Sequence, residues 1–173
     1  MIEPCVLGID PGKKGALVAV GDFGVVAQLR MPLTLGSKGD IDWRAVWAFM
    51  SALALRGIVL EVASIRPREG GYGGLQIGSN WGTLRGLAIA TGAPLEECRP
   101  NRWRKEMNLP ARPAAEKDKR KQDSIAKALG LFPALNLTHN PLTNRTTKPH
   151  DGLAEAACMA EVGRRLWLAR GAA

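Results

Sequence analysis

The sequence predicts an α/β domain in which a mixed sheet is flanked by helices. Three features predict it: three short β-rich segments joined by tight turns, a helix–strand–helix–strand order after them, and helical segments at the end. Tight turns join antiparallel strands, whereas a helical crossover brings the next strand in parallel. No repeat or domain boundary interrupts this order, so residues 1–173 are predicted to form one domain.

The first third of the chain is predicted to contain the three antiparallel strands. The segments Cys5–Asp10, Gly15–Val20 and Val25–Met31 are rich in β-branched and small apolar residues. The turns between them, Pro-Gly-Lys-Lys and Gly-Asp-Phe-Gly, have the length and composition of hairpin turns. We therefore expect these strands to be neighbours in the sheet.

A helix and a crossover strand are predicted next. Apolar residues recur at helical spacing from Trp43 to Ala54, with Asp42 as the expected N-cap and Gly57 as the expected stop. Ile58–Val62 is uniformly apolar except for one acid, which indicates a buried strand. Since a helix precedes it, this strand is predicted to lie parallel to the first one.

The remaining elements are predicted from glycine content and helical periodicity. Ile65–Gly78 is rich in Gly and Arg, which favours an ordered functional loop. The predicted elements after it are a helix at Asn80–Thr91, a short strand at Pro94–Arg99, a helix at Glu116–Leu129 ended by Gly130, a polar loop at 131–149 and a final helix at Asp151–Ala169.

Glycines at every fourth position form a bare strip on the predicted helix at Asn80–Thr91. The strip consists of Gly78, Gly82 and Gly86. Each glycine inside a helix costs about 1 kcal/mol relative to alanine, so a close backbone contact is expected there. The contact lies either on the protein's own sheet or across a two-fold axis to a second copy.

Composition and charge exclude several classes of protein. The chain carries a formal net charge of +8, which favours a polyanionic partner such as nucleic acid or an anionic membrane surface. Its start has an acid and no basic segment, unlike a secretory signal, and the longest apolar stretch, Ala45–Leu55, is too short to span a bilayer. The three cysteines have no metal-site spacing and are predicted to be buried thiols, as in a cytoplasmic protein.

Two carboxylates are expected at the carboxyl ends of neighbouring strands. Asp10 ends the first strand, where ligands of α/β sheets bind, although an Asp before Pro-Gly also forms turns. Glu61 ends the uncharged run Gly57–Leu60, and a Glu leaving a buried strand is costly unless it is paired or metal-bound. Parallel pairing of the two strands places these acids side by side.

Two further carboxylates open the final helix. Asp151 and Glu155 are four residues apart and share one helix face, although first-turn acids also favour the helix dipole or act as caps. Together the four acids form an acidic cluster in a basic protein. Like charges at short range are relieved by a divalent cation, which indicates Mg²⁺ or Mn²⁺ facing a phosphodiester.

Ordered motifs across the chain resemble the RuvC family of Holliday junction resolvases. They are Gly8-Ile9-Asp10-Pro11-Gly12, Leu60-Glu61 before a Gly-rich loop, and Pro149-His150-Asp151-Gly152-Leu153-Ala154-Glu155-Ala156. Between them, the runs at 78–86, 99–105 and 131–133 are similar to the phage and bacterial branch. The resemblance extends from about residue 5 to 165.

This resemblance implies an RNase H-like fold, a homodimer and metal-dependent cutting of four-way or branched DNA that leaves 5′-phosphate ends. Asp10, Glu61, Asp151 and Glu155 would be the catalytic metal ligands, for Mg²⁺ with Mn²⁺ as a substitute and two ions per site. Bacterial members commonly place the last two acids three residues apart, but position 152 is glycine here. His150 is therefore a further candidate ligand. The implied location is the cytoplasm of a bacterium or of a phage-infected cell.

Basic residues supply candidate DNA contacts. The segment 102–127 carries nine basic and four acidic residues, which suits either a phosphate-tracking surface or a solvated helix face. Tyr72 is the aromatic residue of the Gly-rich loop and a candidate wedge for an open junction. The complete set of candidate contacts is Lys13, Lys14, Arg66, Arg68, Tyr72, Lys117, Lys119, Arg120 and Lys121.

Three alternative functions share parts of this pattern. A ribonuclease H-type enzyme would carry an acid within its first helix, whereas Trp43–Leu55 has none. A flap or branched-DNA nuclease would use the same acids. A junction-binding protein without catalysis would need the basic surface but not the acidic cluster.

Overall fold

A five-stranded mixed sheet forms the centre of the structure. The structure is a computed structural model that describes residues 3–35, 39–63, 70–140, 145–146 and 148–171. The strands are β1 (Pro4–Asp10), β2 (Ala16–Val20), β3 (Val25–Arg30), β4 (Ala54–Glu61) and β5 (Leu95–Cys98). They are arranged in the order β3-β2-β1-β4-β5. The first three are antiparallel, and β4 and β5 are parallel to β1, which confirms the predicted sheet.

Helices cover both faces of the sheet. The helices are α1 (Trp43–Ser51), α2 (Gly70–Ala90), α3 (Pro100–Glu106), α4 (Lys117–Leu131) and α5 (Asp151–Gly171), with a 3₁₀ turn at Ala114–Glu116. Helices α1 and α2 pack on one face, and α3, α4 and α5 pack on the other. A two-residue ladder, β6 (His139–Asn140) with β7 (Arg145–Thr146), lies before α5.

Several local predictions are confirmed. Asp42 caps α1, where its carboxylate accepts hydrogen bonds from the backbone N–H groups of Arg44 and Ala45, both at 3.1 Å. The three cysteines are free and buried. None of the helices in the described ranges is long and apolar enough to cross a membrane.

Other local predictions are wrong, and glycine is the main reason. Gly57 does not stop α1, which ends at Ser51; it lies inside β4, where a Cβ would come within 2.6 Å of the Trp167 ring. The Gly-rich stretch at 65–78 is helical from Gly70 onward, and Gly130 lies inside α4. Helix α3 was not predicted at all.

The strand alternation decides which side of the sheet each acid faces. On β1, Leu7 and Ile9 belong to the core under α1 and α2, whereas Gly8 faces α5. Since successive side chains alternate, Asp10 lies on the same side as Gly8. By the same rule Glu61 lies on the same side of the sheet as Val59, two residues before it, and Val59 packs in the core next to α5. Both acids therefore emerge on the α5 side.

Gly8 allows α5 to approach β1 very closely. A Cβ at Gly8 would lie 2.0 Å from the carbonyl oxygen of Ala156 and 2.6 Å from the backbone nitrogen of Ala160. The facing part of α5 is built from small residues, and Ala156, Ala157 and Ala160 are fully buried. This contact sets the distance between the first turns of α5 and the carboxyl end of β1.

We expect Gly8→Ala to lower the free energy of unfolding by about 1–3 kcal/mol, because the added methyl group overlaps the α5 backbone. Urea denaturation followed by circular dichroism measures the change. The matched control is Gly130→Ala, on an α4 position with open space around it. That variant should gain up to about 1 kcal/mol from helix propensity. Equal effects of the two variants would contradict the proposed tight contact.

Candidate active site

Four carboxylates converge where β1 and β4 meet the first turns of α5. The parallel register pairs Ile9 with Leu60, so the next residues, Asp10 and Glu61, leave the sheet side by side. Position 152 brings α5 against this edge, because a Cβ there would lie 2.9 Å from Asp10 Oδ2. Asp151 and Glu155 flank that position on the same helix.

The carboxylates influence one another electrostatically. Burial raises the pKa of Asp10 well above its usual value, and the charges of Glu61, Glu155 and Asp151 raise it further. The pKa of Glu155 is raised to about 7, first by burial and then by Glu61 and Asp151. The pKa of Glu61 is also raised, by burial. Deprotonating Asp10, Glu61 and Glu155 together is therefore unfavourable without a compensating positive charge.

Three of the four acids have a polar partner outside the cluster. Trp103 Nε1 donates a hydrogen bond to Glu61 Oε1 at 2.9 Å. Lys121 Nζ lies 2.6 Å from Asp151 Oδ2, and Ser124 Oγ donates to Glu155 Oε1 at 3.4 Å. The named partners all lie on α3 or α4, so these two helices fix where the acids point.

Sequence reasoning missed the role of α3 in this site. The sequence places Arg104 in the basic segment 102–127, a candidate DNA-binding surface. Arg104 is instead 6% exposed and donates from Nη1 to Ser124 Oγ at 2.9 Å, while its guanidinium lies 5.4 Å from the centre of the Trp103 ring. The available signal was the four-residue spacing of Trp103, in α3, and Met107, directly after α3, which are both buried.

His150 is the cap of α5. Its Nδ1 accepts a hydrogen bond from the backbone N–H of Leu153 at 3.1 Å, and its carbonyl accepts one from Ala154 at 3.3 Å. Burial and the nearby charge of Arg30 lower its pKa, so the ring is neutral at pH 7. Capping uses the Nδ1 lone pair, which leaves Asp151 free of the capping role that the sequence also allowed.

The donor set has the chemistry that a hard divalent cation requires. Carboxylate oxygens are preferred ligands of Mg²⁺ and Mn²⁺, and a cation would relieve the mutual repulsion of these four acids. As they stand in the described ranges, no three acidic, His or Cys side chains are arranged as a finished metal-binding group. Trp103, Lys121 and Ser124 each bind one of these acids and restrict its orientation.

The candidate DNA contacts lie in several places around the cluster. Lys13 donates to Asp40 at 3.0 Å, Lys14 is exposed, and Tyr72 is 81% exposed near the start of α2. On α4, Lys119 pairs with Glu116 at 3.0 Å, so part of the basic run is the salt-bridged surface that the sequence also allowed. The other candidates on α4 are Lys117, Arg120 and Lys121, whereas Arg66 and Arg68 lie outside the described residues.

A basic cleft lies between α3 and α4. It has a volume of about 810 Å³, and its walls include Arg104, Lys105, Arg112 and Arg120. Arg112 is held by a bidentate contact with Asp123, whereas the positive charge of Arg120 opposes the burial that raises the pKa of Glu61. The positive charge of the cleft therefore extends, through Arg120, to the edge of the acidic cluster.

Comparisons with known proteins identify the fold. No protein-family model matches the chain, and no curated protein matches it in sequence. A solved structure of T. thermophilus RuvC in complex with Holliday junction substrate matches with a TM-score of 0.64 at 14% identity, over 95% of this chain and 96% of that one. The chain has a RuvC-like fold. A second Thermus thermophilus RuvC structure matches with a TM-score of 0.61 at 17% identity, over 96% of each chain.

The RuvC-like fold confirms the resemblance seen in the sequence motifs and the expected RNase H-like architecture. The likeness extends over nearly the whole of both chains. At 14% and 17% identity this likeness establishes the fold alone, and the chemistry depends on the residues described above.

The raised pKa values predict how stability depends on pH. Because Glu155 titrates at about 7 in the folded state against 4.5 when unfolded, the folded state binds more protons between these values. The stability that this proton provides is present below 4.5 and is lost as the pH rises through 7. Over that interval Glu155 alone accounts for roughly 3 kcal/mol.

We therefore expect Glu155→Gln to flatten the fall in stability of the metal-free protein between pH 5 and pH 8. Urea denaturation in EDTA at a series of pH values measures the slope. The control is Glu106→Gln, which changes an exposed glutamate on α3 and should leave the slope unchanged. A slope that is the same in the wild-type protein and in Glu155→Gln would refute the raised pKa.

Proposed function

We propose that this protein is a Holliday junction resolvase, a metal-dependent endonuclease that cuts four-way DNA junctions with symmetric nicks. The observation that carries this proposal is the convergence of Asp10, Glu61, Asp151 and Glu155 at one edge of a RuvC-like fold. The solved neighbour bound to a Holliday junction substrate supports the choice of DNA. We place the activity in the cytoplasm of a bacterium or of a phage-infected cell.

The four carboxylates would hold two Mg²⁺ ions, or Mn²⁺ in their place. When bound, such ions supply the Lewis acidity that activates a water molecule and neutralises the leaving 3′-oxygen, so that 5′-phosphate ends result. Asp10 is the central ligand, because the charges of all three other acids act on it. No side-chain nucleophile is required.

The chain's own cations would arrange the phosphodiester beside these acids. Lys121 reaches Asp151 from α4, so its ammonium group lies where a phosphate oxygen can share it. Arg120 adds positive charge near Glu61. The basic cleft gives the adjoining DNA strand a path between α3 and α4, and exposed Tyr72 is the candidate wedge for the open centre of the junction.

A homodimer would supply two active sites for paired nicks. Its support is the glycine strip on α2: among the residues that the structure describes, a Cβ at Gly78, Gly82 or Gly86 would meet nothing within 4 Å. The strip does not pack on the protein's own sheet, which removes one of the two contacts expected from the sequence. Exposed Leu75 and Ile89 lie on the same helix face, with Gly82 and Gly86 between them. A second copy of α2 is the partner that suits such a face.

Substitution of a central acid tests the proposed chemistry. We expect Asp10→Asn and Glu61→Gln to abolish cutting of a labelled four-way junction in Mg²⁺ while binding to the junction is retained. The physical reason is that each change removes a metal ligand and also removes negative charge that repels phosphates. Asp22→Asn, at an exposed acid that pairs with Arg56, is the matched control and should cut normally.

The choice of substrate separates resolvase activity from the alternatives. Four-way junction, flap, duplex and RNA–DNA hybrid substrates are compared in the same buffer, with cutting followed on denaturing gels. Preferential cutting of the hybrid would favour a ribonuclease H-type enzyme, and preferential cutting of the flap would favour a flap nuclease. Junction binding without any cutting in Mg²⁺ or Mn²⁺ would reject the nuclease altogether.

Bulk on the glycine strip tests the dimer. We expect Gly82→Leu to weaken self-association by about tenfold or more, because overpacking a close helix contact costs 1 kcal/mol or more. Analytical ultracentrifugation measures this change, and uncoupled nicks should replace paired nicks on a junction carried by a supercoiled plasmid. Gly130→Leu, at an exposed glycine on α4, is the matched control. A wild-type protein that sediments as a monomer at micromolar concentration while it cuts both strands in one binding event would overturn the proposed dimer.

A further inference from the structure

Two tryptophans donate hydrogen bonds to Glu61, and they bind different parts of it. Trp81 Nε1 donates to the backbone carbonyl oxygen at 3.0 Å and so fastens the end of β4 to α2. Trp103 Nε1 donates to the carboxylate oxygen Oε1 at 2.9 Å from the opposite face of the sheet. A buried indole N–H needs an acceptor, and a carbonyl group would satisfy it, as it does for Trp81. Trp103 differs from Trp81 because it donates to a carboxylate where a carbonyl oxygen would be a sufficient acceptor.

Trp103 is held rigidly. The side chain is 1% exposed and lies in the core between α3, α4 and α5. The guanidinium group of Arg104 lies over its ring, and Arg104 is fixed in turn by its bond to Ser124 Oγ. An indole donor held in this way restricts the rotation of the carboxylate that accepts from it.

The hydrogen bond from Trp103 leaves half of the Glu61 carboxylate available. It engages Oε1, and no hydrogen bond to Oε2 is present in the described part of the chain. Because Glu61 ends β4 on the α5 side, the fixed carboxylate stays next to Asp10 at the sheet edge. Groups that bind a metal ligand from behind orient it and tune its affinity for the ion.

We propose that Trp103 is a positioning residue that presents the Glu61 carboxylate to a divalent cation, an inference that rests on the proposed metal-dependent function. Trp103 touches neither the ion nor the DNA in this role. Its indole N–H fixes the Oε1 side of Glu61 so that Oε2 faces the other acids before an ion binds. The adjacent Arg104 connects the same helix, through Ser124, to Glu155. One short helix thereby aligns two acids that come from different elements.

The test removes the indole N–H and measures metal binding without DNA. Trp103→Phe keeps an aromatic ring in the core and deletes the donor. We expect its affinity for Mn²⁺, measured by electron paramagnetic resonance of the free ion, to fall by about tenfold. Junction binding in EDTA should be retained, and cutting should be lost at limiting metal and partly recovered at high metal.

Trp81→Phe is the matched control, because it deletes an indole hydrogen bond to the backbone of the same residue. We expect this variant to lose stability while its Mn²⁺ affinity stays within about twofold of the wild type, well short of the change expected for an orienting group. An equal loss of affinity in both variants would mean that general loosening around Glu61 causes the effect, and it would overturn the positioning role.

A second measurement uses the unaltered sequence, so it does not depend on whether Trp103→Phe folds. In ¹⁵N-indole NMR spectra, the Trp103 N–H resonance should move during a Mg²⁺ titration with the same midpoint as metal binding, because its acceptor becomes a ligand. In Glu61→Gln the resonance should not follow Mg²⁺. A Trp103 resonance that does not respond to Mg²⁺ in a wild-type protein that cuts junctions overturns this inference and leaves the proposed function intact. A wild-type protein that binds Mn²⁺ and cuts no DNA rejects the proposed function instead.

Discussion

Helix α5 packs on β1 at a distance that only a glycine at position 8 permits, and the site depends on this contact. The backbone of Ala156 occupies the space where a side chain of residue 8 would lie. On α5, Glu155 directly precedes Ala156 and Asp151 lies five residues before it, and on β1 Asp10 lies two residues after Gly8. A wider separation between helix and sheet would move Asp151 and Glu155 away from Asp10 and Glu61, which the strand register keeps together. The close backbone packing therefore creates the electrostatic strain of the site.

The repulsion between the carboxylates is reduced by groups on α3 and α4. The acids lie in a protein with a net charge of +8, and two cations of α4 act on them: Lys121 pairs with Asp151, and Arg120 acts on Glu61. A neutral donor, Trp103, serves Glu61 from α3. The carboxylates are thus supported individually and still repel one another as a group, which is the condition under which a divalent cation binds most favourably.

The sheet and the acids could be predicted from sequence because both depend on short-range patterns. Turn length decided that β1, β2 and β3 are antiparallel, and the position of Glu61 after an uncharged run indicated a strand end. The start of α2 could not be predicted in this way, because its glycines have low helix propensity. Contacts outside this segment, which no local sequence pattern shows, must stabilise the helix there. Trp103 was missed for a related reason. Its hydrogen bond joins residues 42 positions apart, and no local pattern encodes such a pairing.

The spacing of Asp151 and Glu155 has a consequence for how this site can vary. A side chain at position 152 would collide with Asp10 Oδ2 and with the carbonyl oxygen of Lys14 in the β1–β2 turn. An acid therefore does not fit at position 152 next to the present β1–β2 turn, although an acid there would give the three-residue spacing to Glu155 that is common in bacterial RuvC proteins. Position 152 and the length of the β1–β2 turn should change together in evolution. In a designed variant, an acid at 152 would require a rebuilt turn at Lys14 as a second, simultaneous change.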